Sequence, residues 1–228
     1  MPLLVLIRHG QSVWNLENRF TGWGDVNLTE AGISEAIAAG AVMAAEGLDF
    51  DMCFASVLTR SIKSLNLALE AMGRLWLPVV KDWRLNARHY GALTGLNKHA
   101  AANRYGAEQV RIWRRSFDVA PPPLEPGGAF ELTADRRYAG VEIPATESLK
   151  DAAARVRSCG HARIAPELKA GKRVLVSAHS NSLRVMVKHL SSLSEAETAE
   201  LEISTGQPIV YDLDDNLAPR GRYSLLAL

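Results

Sequence analysis

The sequence is poor in cysteine: its 228 residues hold only Cys53 and Cys159. Neither lies in a Cys-x-x-Cys or Cys/His ligand spacing, so no zinc site is expected, and a reducing cytoplasm is the simplest compartment. The chain also lacks a charge bias. Lys plus Arg is 26 against 25 Asp plus Glu, a formal net charge of +1. That balance removes any global electrostatic case for nucleic-acid or membrane partners. An anion site must therefore come from local clustering of arginine and lysine. No apolar run is long enough to span a membrane, and there is no internal repeat or low-complexity tail. The apolar stretch before Arg8 lacks a basic leader and is too short for a signal peptide. It reads as a buried strand.

What is present is an ordinary globular composition, 47% apolar and 22% charged, and enough length for a sizeable core. A single domain over residues 1–228 is expected. Leu3–Ile7, Met52–Ala55, Pro78–Lys81 and Arg173–Ala178 read as strands, with Ile209–Leu213 and Tyr223–Leu226 as the last two. Helices are expected from Thr29 to about Gly47, over Val57–Met72, over Glu147–Lys169 with a weak point at Gly160, and over Ser182–Leu190. Thr29 is a good N-cap, and Gly171 a good stop. Strands alternating with helices predict an α/β three-layer sandwich with a mostly parallel sheet. The stretch from about 84 to 146, rich in proline, arginine and aromatics, breaks that rhythm. It is expected to be an irregular lid insertion over the site.

Two histidines carry the chemistry. His9 follows the first strand and His179 follows Arg173–Ala178, and the carboxyl ends of parallel strands are where active sites form. Either alone would read as a surface loop residue. Together, on neighbouring strands, they would meet in one pocket. An imidazole with one nitrogen fixed by a hydrogen bond and the other free is a competent nucleophile toward phosphorus. Arg8, Arg60 (one turn into its helix), Arg88, Lys98, Arg114 and Arg115 supply the donors a phosphoryl group requires.

The runs Arg8-His9-Gly10-Gln11-Ser12-x-Trp14-Asn15, Asn18-Arg19-Phe20-Thr21-Gly22-Trp23, Arg88-His89-Tyr90-Gly91-Ala92-Leu93-x-Gly95-Leu96-Asn97-Lys98, Trp113-Arg114-Arg115 and His179-Ser180-Asn181-Ser182-Leu183-Arg184 resemble, in order, the histidine phosphatase superfamily. Within it they resemble the bisphosphoglycerate-dependent phosphoglycerate mutases. The resemblance implies that His9 is the phosphorylated nucleophile and that His179 stabilises the transferring charge. Arg8, Arg60 and the backbone amides near Gly10 and Ser180 would hold the phosphoryl group. Gln11, Ser12, Asn15, Thr21, Gly22, Arg88, His89, Tyr90, Lys98, Arg114, Arg115 and Asn181 would bind substrate. The reaction would interconvert 3-phosphoglycerate and 2-phosphoglycerate, primed by 2,3-bisphosphoglycerate, without metal. A small phosphorylated substrate is the implied partner, with no nucleic acid and no membrane. A homodimer is expected by analogy.

Three features depart from that pattern. Ala87 stands where the family has its acid/base glutamate, Ser180 stands where it has glycine, and the chain stops at Leu228, close to the last strand. The alternatives are a phosphatase of small metabolites, or a non-catalytic polyanion-binding protein. Glu17 is a candidate to replace the missing carboxylate.

Overall fold

Alternation of side chains in two parallel strands organises the molecule. The computed structural model describes residues 2–225. In β1 (Leu3–Arg8), Leu4 and Leu6 face one side of the sheet while Val5 and Ile7 face the other, as the two-residue period of a strand requires. A short helix α1 (Val13–Leu16) and a long one, α2 (Glu30–Ala45), follow. The Oγ1 of Thr29 accepts the Gly32 amide at 3.0 Å and caps α2. Next come β2 (Met52–Ala55), α3 (Thr59–Ala71) and β3 (Val79–Lys81).

The segment expected to be irregular holds two helices, α4 (Lys98–Tyr105) and α5 (Ala107–Arg115), and short 3-10 turns. This corrects the expectation. Val110 and Trp113 of α5 pack with Phe20, Leu93 and Ala101 in a small core of their own. The long helix expected over 147–169, with its weak point at Gly160, is present from 149 to 169. It runs as α6 (Leu149–Cys159), opens into a wider π turn at Gly160–Ile164, and resumes as α7 (Ala165–Lys169) with Pro166 in its first turn. Proline lacks the N–H that the regular ladder uses. The chain continues through β4 (Arg173–Ala178), α8 (Ser180–Leu190), α9 (Glu195–Glu200), β5 (Pro208–Leu213) and β6 (Pro219–Ser224). The last strand starts earlier than expected, and Leu226 lies outside the described residues.

The sheet order is β3-β2-β4-β1-β5-β6. β1 to β4 are mutually parallel, and β5 and β6 are antiparallel to their neighbours. Leu4, Leu6 and Val176 pack with Ile164, Leu168 and Leu183 on one face, while Val5, Ile7 and Leu175 pack with Met43, Leu65 and Leu69 on the other. Helices therefore cover both faces, the three-layer arrangement that a parallel sheet needs. Both cysteines are buried and free. Among the described residues no helix is long and apolar enough to cross a membrane.

Candidate active site

β1 and β4 pair in parallel with Leu3 opposite Arg173 and Arg8 opposite Ala178. That register sets His9 beside His179, and the His9 amide donates to the Ala178 carbonyl at 3.1 Å. The two rings lie 4.9 Å apart between centroids. Both are buried. Both titrate well below the ordinary histidine value, first because burial penalises the charged form and then because the Arg60 guanidinium is near.

The Nδ1 of His9 lies 2.7 Å from the Gly10 carbonyl oxygen. A carbonyl can only accept, so Nδ1 carries the proton and Nε2 keeps its lone pair. His179 is held at its other nitrogen, with Nε2 2.8 Å from Ser56 Oγ. Its Nδ1 has no partner, and neither do the Nε atoms of Arg8 and Arg60. Three buried polar atoms without partners, all on residues lining one cavity, fit an anionic ligand. Arg60 is fixed by donating to the Gly22 and Gly24 carbonyls at 2.8 Å each. Burial lowers its pKa to about 10, so it stays charged at neutral pH. It is the second residue of α3, closer to the helix start than the spacing suggested.

The cavity is about 220 Å³. Arg8, His9, Asn15, Thr21, Gly22, Arg60, Ala87, Tyr90, Lys98, Arg114, Arg115, His179, Ser180 and Asn181 line it, as do five residues not singled out beforehand: Arg19, Phe20, Arg184, Glu202 and Ile203. Arg184 sits one helical turn beyond Ser180 on α8, a spacing that would have revealed it. Arg19 and Phe20 stand inside a quoted motif, whereas Glu202 and Ile203 stand in none.

Five expected site residues do not line the cavity. The Gly10 amide donates to Ser64 Oγ at 2.9 Å, which takes it away from any phosphoryl group. A Cβ at Gly10 would come within 2.0 Å of the Gly32 carbonyl oxygen, so this glycine serves the close approach of the loop to α2. The Gln11 amide donates to Glu35 at 2.7 Å. Ser12 caps α1 through its side chain. His89 accepts the Gly91 amide at Nδ1. Arg88 donates to the Trp113 carbonyl at 2.8 Å and lies 4.6 Å from the centre of the Tyr90 ring, so it supports Tyr90 from behind the wall.

Ala87 is held in place by its carbonyl, which accepts from Trp23 Nε1 at 2.7 Å and from Arg155 at 2.8 Å. Arg155 also donates to the Arg84 and Asn86 carbonyls and pairs through two nitrogens with the buried Glu147. Glu17 forms a surface ion pair with Arg19 at 2.6 Å and does not line the cavity. Glu202 is the one carboxylate among the described lining residues, and Arg115 holds it at 3.0 Å.

Residues 4–141 match the family model of the histidine phosphatase superfamily (branch 1). The 2,3-bisphosphoglycerate-dependent phosphoglycerate mutase of Sphingopyxis alaskensis is 66% identical over 225 residues, covering 99% of each chain. That of Zymomonas mobilis is 64% identical over the same span. Among solved structures, a mycobacterial hydrolase superposes with a TM-score of 0.74 at 22% identity, covering 99% of this chain and 98% of its own. A Bacillus anthracis phosphoglycerate mutase superposes at 0.67 and 20%, covering 92% and 88%; these two show the fold alone. With the paired histidines at the ends of adjacent parallel strands and two relatives above 60% identity along the whole chain, this protein belongs to the histidine phosphatase superfamily, and within it to the 2,3-bisphosphoglycerate-dependent phosphoglycerate mutases.

Proposed function

We propose that the chain, acting as one domain, interconverts 3-phosphoglycerate and 2-phosphoglycerate through a phosphohistidine at His9, and that Ala87 makes it slow. The observation that carries this reading is the pairing of a free Nε2 on His9 with unpartnered donors on Arg8, Arg60 and His179 in one cavity. Nε2 attacks phosphorus, and the three donors take up the charge that spreads over the phosphoryl oxygens. Lys98, Arg114, Arg115, Tyr90 and Asn181 line the same cavity and would hold the carboxylate and second phosphate, with Asn15, Thr21, Gly22 and Ser180 along the wall. 2,3-Bisphosphoglycerate, when bound, supplies the phosphoryl group that primes His9. The arginines and His179 meet the charge, so the proposed reaction uses no metal. Net charge near zero and two free, buried cysteines support a cytoplasmic protein without nucleic-acid or membrane partners.

The substrate hydroxyl must lose and regain a proton, and a methyl group at position 87 does neither. A positioned acid or base contributes about 10²–10⁴-fold. The test supplies 3-phosphoglycerate with catalytic 2,3-bisphosphoglycerate and measures 2-phosphoglycerate and free phosphate together. 2-Phosphoglycerate should form slowly, and Ala87→Glu should speed it by that factor. A native rate of about 10 s⁻¹ or more would show that a carboxylate is supplied elsewhere. Phosphate in excess of 2-phosphoglycerate would favour a phosphatase.

A homodimer is a second reading. Trp76 is 73% exposed and Leu75 56%, just before β3, which is an edge strand of the sheet. An apolar pair beside an open edge suits a two-fold contact. Sedimentation should give twice the chain mass, and Trp76→Lys should shift it to monomer.

A further inference from the structure

If His9 is the phosphoryl acceptor, the leaving oxygen of the donor decides which molecules can charge it. An alkyl phosphate leaves as an alkoxide, whose high pKa requires a proton as the bond breaks. The described cavity wall offers few sources for one. Glu202 is 79% exposed and ion-paired with Arg115, which holds its carboxyl below the usual range. Glu147 spends both oxygens on Arg155 and also accepts the His89 amide. Glu35 accepts the Gln11 amide. Neither Glu147 nor Glu35 lines the cavity. His179 is neutral at ordinary pH and offers a hydrogen bond rather than a proton. The Tyr90 hydroxyl and the Lys98 ammonium are the remaining groups, and both stand on the wall that would hold the substrate's carboxylate and second phosphate. The Tyr90 hydroxyl accepts from Asn181 at 3.2 Å, and although burial raises its pKa, Arg88, Asn181 and Arg114 together outweigh that and bring it to about 8. The contacts that ease its ionisation tie it to Arg88, behind the wall, and to Asn181, on the substrate-holding wall.

We propose that this site takes phosphoryl groups from acyl and aryl phosphates, whose leaving oxygen is stable as an anion, in preference to alkyl phosphates, and so acts on such donors as a phosphatase. The proposal rests on the phosphohistidine reading above. The lone pair of His9 Nε2 forms the P–N bond as the P–O bond breaks, and the bonding pair departs on a carboxylate or phenolate oxygen without needing a proton. The proton on Nδ1 stays there, donated to the Gly10 carbonyl oxygen. Water then attacks phosphorus, the P–N bond breaks, its pair returns to Nε2, and both water protons leave with the product as dihydrogen phosphate. Arg8, Arg60, Lys98, Arg114, Arg115 and Arg184 ring the cavity and recognise phosphate charge regardless of the carbon skeleton. A neutral-pH nucleophile, a cationic cradle and no placed acid together select donors by leaving group.

The test is rapid-quench measurement of His9 phosphorylation by acetyl phosphate, 4-nitrophenyl phosphate and glycerol 3-phosphate, on the native chain, Ala87→Glu and Tyr90→Phe. The ratio of aryl or acyl rate to alkyl rate should be about 10²–10⁴ larger in the native chain than in Ala87→Glu, the factor a placed acid contributes. Tyr90→Phe should keep the native ratio. Labelled His9 with equal ratios in the native chain and Ala87→Glu would overturn this proposal alone. So would a further loss of alkyl reactivity, relative to the aryl and acyl donors, in Tyr90→Phe, because Tyr90 would then be the proton source. No label on His9 from any donor, in any of the three proteins, would overturn the phosphohistidine reading with it.

Discussion

Ser56 Oγ lies 2.8 Å from Nε2 of His179 and also accepts the Leu58 amide at 3.3 Å. The serine hydroxyl has no other acceptor in reach among the described residues, so it donates its proton to Nε2. His179 then carries its remaining proton on Nδ1, the atom without a partner. Ser56 thus selects the tautomer that presents N–H to a phosphoryl oxygen. Ser56→Ala should lower kcat roughly five- to tenfold, the worth of about 1 kcal/mol of hydrogen bond, with little change in KM. Ser56→Thr should recover most of the loss in the same steady-state assay.

The two buried histidines also set the acid limit of stability. Each has a folded-state pKa well below 6.5, so between that depressed value and 6.5 the unfolded chain binds protons that the native one does not. Stability must then fall as pH drops through this window, by up to about 1.4 kcal/mol per pH unit for each histidine. Denaturant titrations at pH 7 and pH 5 should show the loss. His9→Gln and His179→Gln should each flatten the slope.

The α/β plan was legible because hydrophobic runs and caps speak locally. Met52–Ala55 and Arg173–Ala178 lie where the apolar pattern put them, and Thr29 caps its helix. The order of strands is not local, yet it is what brings His9 to His179. The motif around Arg8–Asn15 was informative about His9 and Asn15 and silent about direction. Gly10, Gln11 and Ser12 turn their polar groups inward to Ser64, Glu35 and the α1 cap rather than to the cavity. The helices α4 and α5 were hidden because their apolar faces are short, and they are held by Phe20 and Leu93 from elsewhere in the chain. Glu147 and Arg155 gave no sequence signal at all, since a buried ion pair eight residues apart looks like two surface charges.

That ion pair is predicted to be costly to break. Arg155 and Glu147 are 8% and 4% exposed, and between them they fix the carbonyls of Arg84, Asn86 and Ala87 and the amide of His89. Arg155→Ala leaves a buried carboxylate alone and should cost about 3–5 kcal/mol. Melting temperature should fall by about 2–4 °C for each kcal/mol. Glu147→Ala combined with Arg155→Ala should cost less than the sum of the two.

Glu202 competes with the substrate for the cavity's cations. Its carboxylate occupies Arg115, and the chain around it receives further arginines: Arg115 donates to the Ala199 carbonyl, Arg184 to Leu201 and Arg8 to Ile203. An incoming polyanion must draw Arg115 away from Glu202. The pair is largely exposed, with the glutamate 79% accessible, so its intrinsic strength is of the surface kind, about 0–1 kcal/mol. Glu202→Gln should therefore tighten polyanion binding modestly, by about threefold to fivefold, and Arg115→Ala should weaken it. A ligand at a hundredfold excess over its dissociation constant stabilises the fold by about 2.7 kcal/mol, so thermal shift reads both changes. The assay uses 2,3-bisphosphoglycerate at rising salt. The advantage of Glu202→Gln should shrink as screening grows, because a released surface charge is what produces it. Tighter binding that is insensitive to salt would mean that Glu202 instead holds the 201–203 segment in shape, and that its link to Arg115 is structural.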